Sequence, residues 1–277
     1  MSQVKSVKND VDLPLVSALF ITYRRFDLLR MSLDSFRRNT NYPHIEVVIA
    51  DDGSGPEIQA QIRTLNADVY AFAEKNRGLG ANNNNGIRHC SGKYILMIQD
   101  DLECCGPPNY LRNAIQVMEA NPTVGIINFW RGTDLVDEAL PLDGSDERCL
   151  TSKAPGNGLN GNVYYSDLPH VVSLAASAYV GHYIEGCRME ECELDYHRRW
   201  QEQIKYVTAA FPAYNGGIFV HRGTEHSLRT GSFRYRLDQM LMPVANYLKQ
   251  RYRPLYRVGR EFIRMTVKTL EKIHVVR

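Results

Sequence analysis

The chain has 277 residues, which is enough for one large domain or two small ones and for a sizeable hydrophobic core. Hydrophobic residues make up 44% and charged residues 23% of the chain, as in an ordinary globular protein. The net charge of only +2 gives no reason to expect nucleic acid as a partner.

The cysteines and the apolar runs bear on the cellular compartment. The six cysteines have neither the spacing of a zinc site nor that of a disulfide-rich fold, which fits a reduced cytosol. The first ten residues are polar and lack the apolar core of a signal peptide, and no stretch of about 18 apolar residues occurs. We therefore expect a cytoplasmic protein that meets a membrane, if at all, at its cytoplasmic surface.

The first half of the chain alternates strand-like and helix-like segments. Strands that alternate with helices form parallel sheets through right-handed crossovers, so the predicted class is α/β with a mostly parallel central sheet flanked by helices. The hydrophobic patterns predict strands at 16–23, 45–51, 69–73, 94–99 and 126–130, and helices at 26–38, 56–65 and 82–89.

The pattern weakens after the fifth predicted strand. Residues 131–169 are polar and rich in Gly, Asn and Asp, which is typical of a lid or a substrate-facing insertion and equally of a disordered segment. An apolar run resumes at 171–179, and we predict a helix at 189–203 and a short strand at 218–220.

Two acidic pairs end apolar strands. Asp51-Asp52 closes the second predicted strand, and Asp100-Asp101 closes the fourth. The carboxyl ends of parallel strands share one edge of the sheet, where open α/β sheets bind ligands. Carboxylates at such an edge suit a hard cation with its phosphate ligand, or the hydroxyls of a ribose. The residues alone thus predict a site for a nucleoside diphosphate.

Both pairs also have a structural interpretation. The first could close a strand-to-helix turn with Gly53, and the second could form an ion network within the fold. We favour binding in both cases. A turn does not require two carboxylates, and an unpaired buried charge after an apolar strand is costly.

The motifs resemble, in type and order, those of the inverting glycosyltransferases of family two. The resemblance covers roughly residues 14–230 and implies a GT-A fold, a nucleotide-sugar donor, a divalent cation (Mn²⁺ or Mg²⁺) and a single-displacement transfer to an acceptor hydroxyl. It rests on Thr22-Tyr23, Asp51-Asp52-Gly53-Ser54, Asn76-Arg77-Gly78 with Asn84-Asn85-Gly86, Gln99-Asp100-Asp101, Glu190-Glu191-Cys192-Glu193-Leu194 and His221-Arg222-Gly223-Thr224.

The resemblance assigns donor binding to the strand ends. Thr22 and Tyr23 would frame the base. Asp51 or Asp52 would accept hydrogen bonds from the base or the ribose hydroxyls. Asp100 would meet the ribose or the sugar.

Two basic or glycine-rich segments would meet the rest of the donor. Arg24 and Arg25 could contact phosphate, although an exposed helix start explains them equally well. Arg77 could clamp the diphosphate, with Gly78 and Asn84 lining the ligand where few large side chains intervene. The other interpretation of this loop is a helix start capped by asparagine, and both can hold together.

The metal ligands implied by the resemblance are Asp101 and His221. Gln99 stands where the family has the first acid of its Asp-x-Asp motif, and an amide is a weaker ligand than a carboxylate. A neutral imidazole suits Mn²⁺ better than Mg²⁺, but a histidine at a strand end is as often an ordinary hydrogen-bonded surface residue.

The acidic motif at 190–194 supplies the candidate general base. The second acid of the motif is the usual base in the family, which falls on Glu191, and Glu190 is its close rival. For Glu193 and Asp195 a solvated or ion-paired role is at least as well supported.

We divide the chain into a catalytic domain, 1–230, and a basic amphipathic helical extension, 231–277. On a helix the extension has a cationic side and an apolar side, which suits an anionic membrane surface and equally a helix docked on the catalytic body. Membrane contact would suggest a saccharide or lipid-linked saccharide acceptor, as in the synthesis of surface polysaccharide or glycolipid.

Two other functions stay open. A sugar-phosphate nucleotidyltransferase would carry a Gly-rich loop with Arg and Lys after the first strand, where this chain has the glycine-free run 22–26. A catalytically silent nucleotide-binding module at the membrane surface is compatible with Gln99, whereas the presence of Asp101 and Glu191 argues against it.

Overall fold

We describe residues 13–129, 138–141, 148–151, 165, 167–211 and 218–223 of a computed structural model of the protein. Apart from Gly223, these residues belong to one compact unit, Met1–Arg222. The extension predicted at 231–277 and most of the irregular segment 131–169 lie outside the described residues.

The elements follow the alternation predicted from the sequence and add several short strands. The strands are β1 Val16–Thr22, β2 Ile45–Asp51, β3 Val69–Phe72, β4 Tyr94–Gln99, β5 Leu102–Cys104, β6 Val124–Asn128, β7 Glu138–Pro141, β8 Arg148–Thr151, β9 His170–Ser173, β10 Val207–Ala210 and β11 Phe219–His221. The helices are α1 Phe26–Asn39, α2 Pro56–Arg63, α3 Leu79–Arg88, α4 Tyr110–Ala120, α5 Leu174–Val180 and α6 Met189–Glu202.

A nine-stranded sheet organises the described residues, in the order β3-β2-β1-β4-β9-β6-β10-β8-β7. Strands β3, β2, β1 and β4 are parallel, β9 runs antiparallel between β4 and β6, and β10 is parallel to β6. A second, two-stranded sheet pairs β11 with β5. The predicted α/β class with a mostly parallel central sheet is confirmed, and β9 is an antiparallel insertion into it.

Burial on both faces explains why five of the seven residues of β1 are apolar. On one face Phe20 packs edge-on against Phe36 of α1, with ring centroids 5.5 Å apart. On the other face α3 approaches so closely that a Cβ at Gly86 would lie 2.6 Å from Leu19 Cδ1. These two layers hold the sheet edge in a fixed position.

The register of β1 brings the two acidic pairs to the same edge. Thr22 is the pairing partner of Asp51 on β2, and Ile21 is the partner of Gln99 on β4. Both pairs therefore flank the end of β1, as the parallel-sheet argument predicts.

In the part of the chain described here, no helix has both the length and the hydrophobicity required to cross a bilayer.

Candidate functional site

Asp100 is buried at the sheet edge and is bound by Thr22 and Arg25. Its side chain is buried, Thr22 Oγ1 donates to Asp100 Oδ2 at 2.7 Å, and Arg25 Nη2 lies 2.5 Å from Asp100 Oδ1. Burial raises the pKa of this carboxyl to about 7, against the opposing effect of the Arg25 guanidinium and the Thr22 hydroxyl. Three residues that the sequence assigned to the donor thus meet at one point.

Asp101 lies beside His221 because β11 pairs with β5. His221 is the register partner of Leu102, and its Nε2 is 3.5 Å from Asp101 Oδ2. Arg25 Nη1 donates to the same carboxylate oxygen at 2.8 Å. Among the described residues, Asp101 Oδ1 and His221 Nδ1 are buried and have no hydrogen-bond partner. The structure therefore brings the two predicted metal ligands together.

Asp101 and His221 provide only part of the coordination shell of a cation. Within the described ranges, no group of three His, Cys, Asp or Glu side chains is arranged to hold a metal ion. The free Asp101 Oδ1 and the nearby imidazole offer two ligands, whereas Mg²⁺ and similar ions commonly take a carboxylate or two and complete their shell with substrate phosphate and water. The residues present fit an ion that arrives with a phosphate ligand.

The two acids at the end of β2 have different surroundings. Asp51 Oδ2 accepts hydrogen bonds from Ser54 N and Gln59 Nε2, each at 2.9 Å, and its other oxygen accepts from the Ser54 hydroxyl. This is the turn-closing arrangement that the sequence also allowed. Asp52 accepts from the backbone N–H groups of Arg77 and Gly78, both at 2.8 Å, and burial raises its pKa.

Asp52 also lines an open cleft beside the ends of β2 and β3. The cleft has a volume of about 430 Å³, within the usual range for small-molecule pockets. Gly53 is required nearby, since it has φ +73° and a Cβ there would lie 2.4 Å from the Lys75 carbonyl carbon. The lining residues are Asp52, Phe72, Ala73, Glu74, Lys75, Arg77, Ala81, Asn82 and Asn85.

The asparagines of α3 anchor the backbone. Asn82 Nδ2 donates to the carbonyls of Thr22 and Ala50, at 3.2 and 3.1 Å. Asn84 donates to the Tyr183 carbonyl and accepts from its N–H, both at 2.9 Å. The helix starts at Leu79, three residues before the predicted start, and its N-cap residue, Gly78, has no side chain to cap it. The expected asparagine cap is therefore not the arrangement at this helix.

Arg77 and Tyr23 are both exposed at least in part. Arg77 is largely exposed and pairs with Glu185, which also accepts from Asn84 Nδ2 at 2.9 Å. Tyr23 is half-buried, and the Arg24 guanidinium lies 5.0 Å from its ring centroid. Both predicted donor contacts are thus accessible from solvent.

The acidic motif begins α6, next to the start of α3. A Cβ at Gly80 would lie 2.1 Å from the Ile184 carbonyl oxygen and 3.0 Å from Cys192 Sγ, so the two segments are in direct contact. Glu190 and Glu191 occupy the exposed first turn of α6, where Glu191 Oε2 accepts from Arg188 N at 3.3 Å.

The later acids of the motif are held by neighbours. Glu193 Oε1 accepts from the backbone N–H of Asp167 at 3.2 Å. Asp195 forms the ion pair with Arg199 expected from (i, i+4) spacing, and a second pair with Arg198, both at 2.9 Å. The ion-paired interpretation of Asp195 agrees with this geometry.

Comparison with known proteins identifies the family. Residues 17–162, more than half of the chain, match the sequence model described as Glycosyl transferase family 2. The chain belongs to glycosyl transferase family 2. The resemblance and the GT-A fold expected from the motifs are both confirmed.

Two curated relatives carry transferase names. An uncharacterized glycosyltransferase of Rickettsia prowazekii is 26% identical over 133 residues, which is 48% of this chain and 40% of that protein. The GalNAc(5)-diNAcBac-PP-undecaprenol beta-1,3-glucosyltransferase of Campylobacter jejuni is 27% identical over 96 residues, 33% of this chain and 31% of that protein. The chain thus spans less than half the length of these relatives.

A solved structure shares the fold. The mannosyltransferase PcManGT of Pyrobaculum calidifontis, in complex with GDP-Man and Mn²⁺, superposes with a TM-score of 0.57 at 14% identity, covering 90% of this chain and 68% of that one. At this identity the likeness is one of fold alone.

Gln99 contacts the backbone of Asp167, a buried acid that the sequence analysis did not identify. Gln99 Nε2 donates to the Asp167 carbonyl at 3.3 Å, and the Asp167 side chain accepts from the Tyr165 hydroxyl. Burial raises the pKa of Asp167 to about 7. Asp167 lies at the end of the irregular segment, where no periodicity marks it.

A cavity of about 10 Å³ adjoins this acid, the size of one water molecule. Among the described residues, Asp167 Oδ2 and Asn83 Oδ1 are buried acceptors without a hydrogen-bond partner, and both residues line the cavity. A single water could donate to both oxygens.

Proposed function

We propose that the chain transfers a sugar from a nucleotide-diphosphate donor to an acceptor hydroxyl, with inversion and with the help of a divalent cation. One observation carries this proposal: the cleft beside Asp52 and the pair Asp100 and Asp101 flank the same end of β1. A nucleoside in the cleft would direct its diphosphate along the sheet edge to the acid pair.

The donor has a binding group for each of its parts. The cleft of about 430 Å³ offers room for a base and ribose, with the Asp52 carboxylate as acceptor. Arg25 and Arg77 would bind the diphosphate, since guanidinium groups bind phosphate oxygens in bidentate fashion.

Asp101 and His221 would hold the cation through Asp101 Oδ1 and the imidazole. The Mn²⁺ and GDP-Man named with the mannosyltransferase of P. calidifontis support a cation of this kind. When bound, the ion supplies positive charge that neutralises the leaving diphosphate. The burial of Asp101 keeps its oxygens poorly solvated, which strengthens such an interaction.

Glu191 is the proposed general base, with Glu190 as the rival position. As the acceptor oxygen attacks the anomeric carbon, its proton passes to the carboxylate, the bond from that carbon to the phosphate oxygen breaks, and the nucleoside diphosphate leaves. One displacement inverts the anomeric centre. The start of α6 suits a carboxylate, because the positive end of the helix dipole lies there.

The acceptor is proposed to be a saccharide or lipid-linked saccharide, in polysaccharide or glycolipid synthesis at the cytoplasmic face of a membrane. The name of the C. jejuni relative, which acts on an undecaprenol-linked saccharide, supports this class of acceptor. The basic extension at 231–277 would hold the enzyme at an anionic surface.

The test is a panel of nucleotide sugars with Mn²⁺ and purified protein, with product nucleotides separated by chromatography. We expect slow donor hydrolysis that releases nucleoside diphosphate. Asp101→Asn should abolish it, whereas Asp27→Asn, at an exposed surface pair, should not. Release of pyrophosphate would instead identify a nucleotidyltransferase, and wild-type turnover in Asp101→Asn would remove the cation assignment.

A further inference from the structure

Arg25 contacts both members of the acid pair, Asp100 and Asp101. Its guanidinium lies 2.5 Å from Asp100 Oδ1 through Nη2 and 2.8 Å from Asp101 Oδ2 through Nη1, and its Nε donates to Asp100 Oδ2 at 3.2 Å. One side chain therefore bridges both carboxylates. It is held there by three polar contacts.

Solvent water has little access to the two carboxylates, so it cannot take the place of the Arg25 charge in compensating them. The side chains of Asp100 and Asp101 are 0% and 6% exposed, whereas that of Arg25 is 22% exposed. Two buried carboxylates a few ångströms apart are costly unless a cation compensates them. The partly exposed guanidinium, in contrast, has a solvent-facing side from which it can be drawn towards another anion.

We propose that Arg25 is an exchangeable counter-ion. In the ligand-free protein it neutralises the acid pair, and when a divalent cation takes Asp101 it moves to the donor diphosphate. This inference rests on the proposed function and adds to it the order of events at the acid pair. Arg25 is then a residue that couples two binding steps.

Two physical facts support the exchange. A divalent ion on Asp101 Oδ1 would lie within a few ångströms of the guanidinium, and like charges at that distance repel strongly in a poorly solvated site. The freed guanidinium is well suited to a phosphate, which presents two oxygens at the spacing of a carboxylate. The two carboxylates therefore remain compensated by a positive charge throughout the exchange.

The exchange has a thermodynamic consequence. Cation alone must bind next to the positively charged Arg25, and diphosphate alone must draw Arg25 away and leave both acids uncompensated. Each ligand therefore removes a cost that the other would face, which is positive coupling between two sites. We expect the protein to bind either ligand weakly and both together well.

The test measures Mn²⁺ binding to the full chain without nucleotide, from the electron paramagnetic resonance signal of free Mn²⁺. Arg25→Gln should bind Mn²⁺ about tenfold tighter than wild type, or more, because a unit charge beside the ligand is gone. Arg25→Lys keeps the charge and should stay near wild type. Arg24→Gln, one residue away and over the Tyr23 ring, is the matched control.

A second measurement uses UDP and GDP with saturating Mn²⁺. Arg25→Gln should bind them about tenfold more weakly than wild type, since one phosphate ligand is lost. If Arg25 had only a structural role, its replacement would lower the affinity for both Mn²⁺ and nucleotide. Mn²⁺ affinity that is unchanged or lower in Arg25→Gln overturns the exchange. Tighter Mn²⁺ binding without sugar transfer from any donor contradicts the proposed function alone.

A second pair of variants keeps the test valid if Arg25→Gln fails to fold. Arg25→Gln leaves two buried acids uncompensated, so the same comparison is made between Asp100→Asn and Asp100→Asn with Arg25→Gln. The single remaining acid, Asp101, keeps the free Oδ1 atom. We expect the double variant to bind Mn²⁺ more tightly than Asp100→Asn, and equal affinities would overturn the proposal.

Discussion

Thr22, the last residue of β1, donates its hydroxyl hydrogen to Asp100 Oδ2 across 2.7 Å. The bond joins the ends of two neighbouring parallel strands and fixes the carboxylate that Arg25 also contacts. A short side chain therefore orients the central acid of the site.

The first prediction removes this hydroxyl. Thr22→Val keeps the shape of the side chain but leaves the buried Asp100 one donor short, so we expect a loss of about 1–3 kcal/mol in unfolding free energy. Thr22→Ser keeps the donor and serves as the control. Urea denaturation of both variants measures the difference, and equal stabilities would contradict a bond of this importance.

The second prediction concerns the base. Glu191→Gln should leave donor affinity intact and lower the chemical rate by roughly two to four decades, because the amide cannot take the acceptor proton. Single-turnover rates and nucleotide binding separate the two effects. Glu193→Gln is the control, since glutamine can still accept from Asp167 N. If Glu191→Gln turns over normally, Glu190→Gln is the variant to examine next.

The third prediction is a pH dependence of stability. The pKa of Asp167 is about 7 in the fold, against 3.8 for an ordinary aspartate, so the native state retains a proton between these values that the unfolded chain releases. This contribution to unfolding free energy is complete below about pH 4 and is lost as pH rises to 7.

Asp167→Asn, which is neutral at every pH, should therefore gain stability relative to wild type between pH 5 and pH 8, by a few kcal/mol at most. Urea denaturation at the two pH values provides the measurement. Asp27→Asn, at an exposed position, should follow the wild-type curve. Parallel curves for wild type and Asp167→Asn would show that the acid is ionised in the fold.

The fourth prediction tests the contact between α3 and α6. A Cβ at Gly80 would meet the Ile184 backbone oxygen at 2.1 Å and Cys192 Sγ of the acidic motif at 3.0 Å, so Gly80→Ala must displace the loop before α6 and disturb the packing of the motif. We expect a loss of about 1–3 kcal/mol and a larger loss of transfer rate. Gly86→Ala, which meets Leu19 on the sheet side, is the matched variant. Equal loss of activity in both would separate α6 from catalysis.

The fifth prediction concerns the extension, which lies outside the described residues. Deleting Arg253 to the end should release the protein from vesicles that contain anionic lipid, because the deleted segment carries most of the cationic side of the predicted helix. Sedimentation with neutral and anionic vesicles measures the partition. Unchanged partition would favour a helix docked on the catalytic body.

The strands of the first half were accessible to prediction because a strand buried on both faces is mostly apolar. β1, β2, β3 and β4 all end within one residue of their predicted ends. The apolar run 171–179 was ambiguous for the same reason. It divides at Ser173, whose side chain accepts from Ala176 N and starts α5.

Other features depended on packing between distant parts of the chain. The place of β9 between β4 and β6, and of His221 beside Asp101, follows from strand pairing that no local pattern encodes. Asp167 was missed because its burial comes from its neighbours in space.

The sequence by itself determined the family, the strand ends and the edge at which the acids gather, because these follow from local periodicity and from motifs read in order. Only the tertiary structure decided which acid faces the cleft and which closes a turn, and which cation compensates Asp100 and Asp101. Those choices are made by side chains from separate elements, whose distances are fixed only when helices and strands pack.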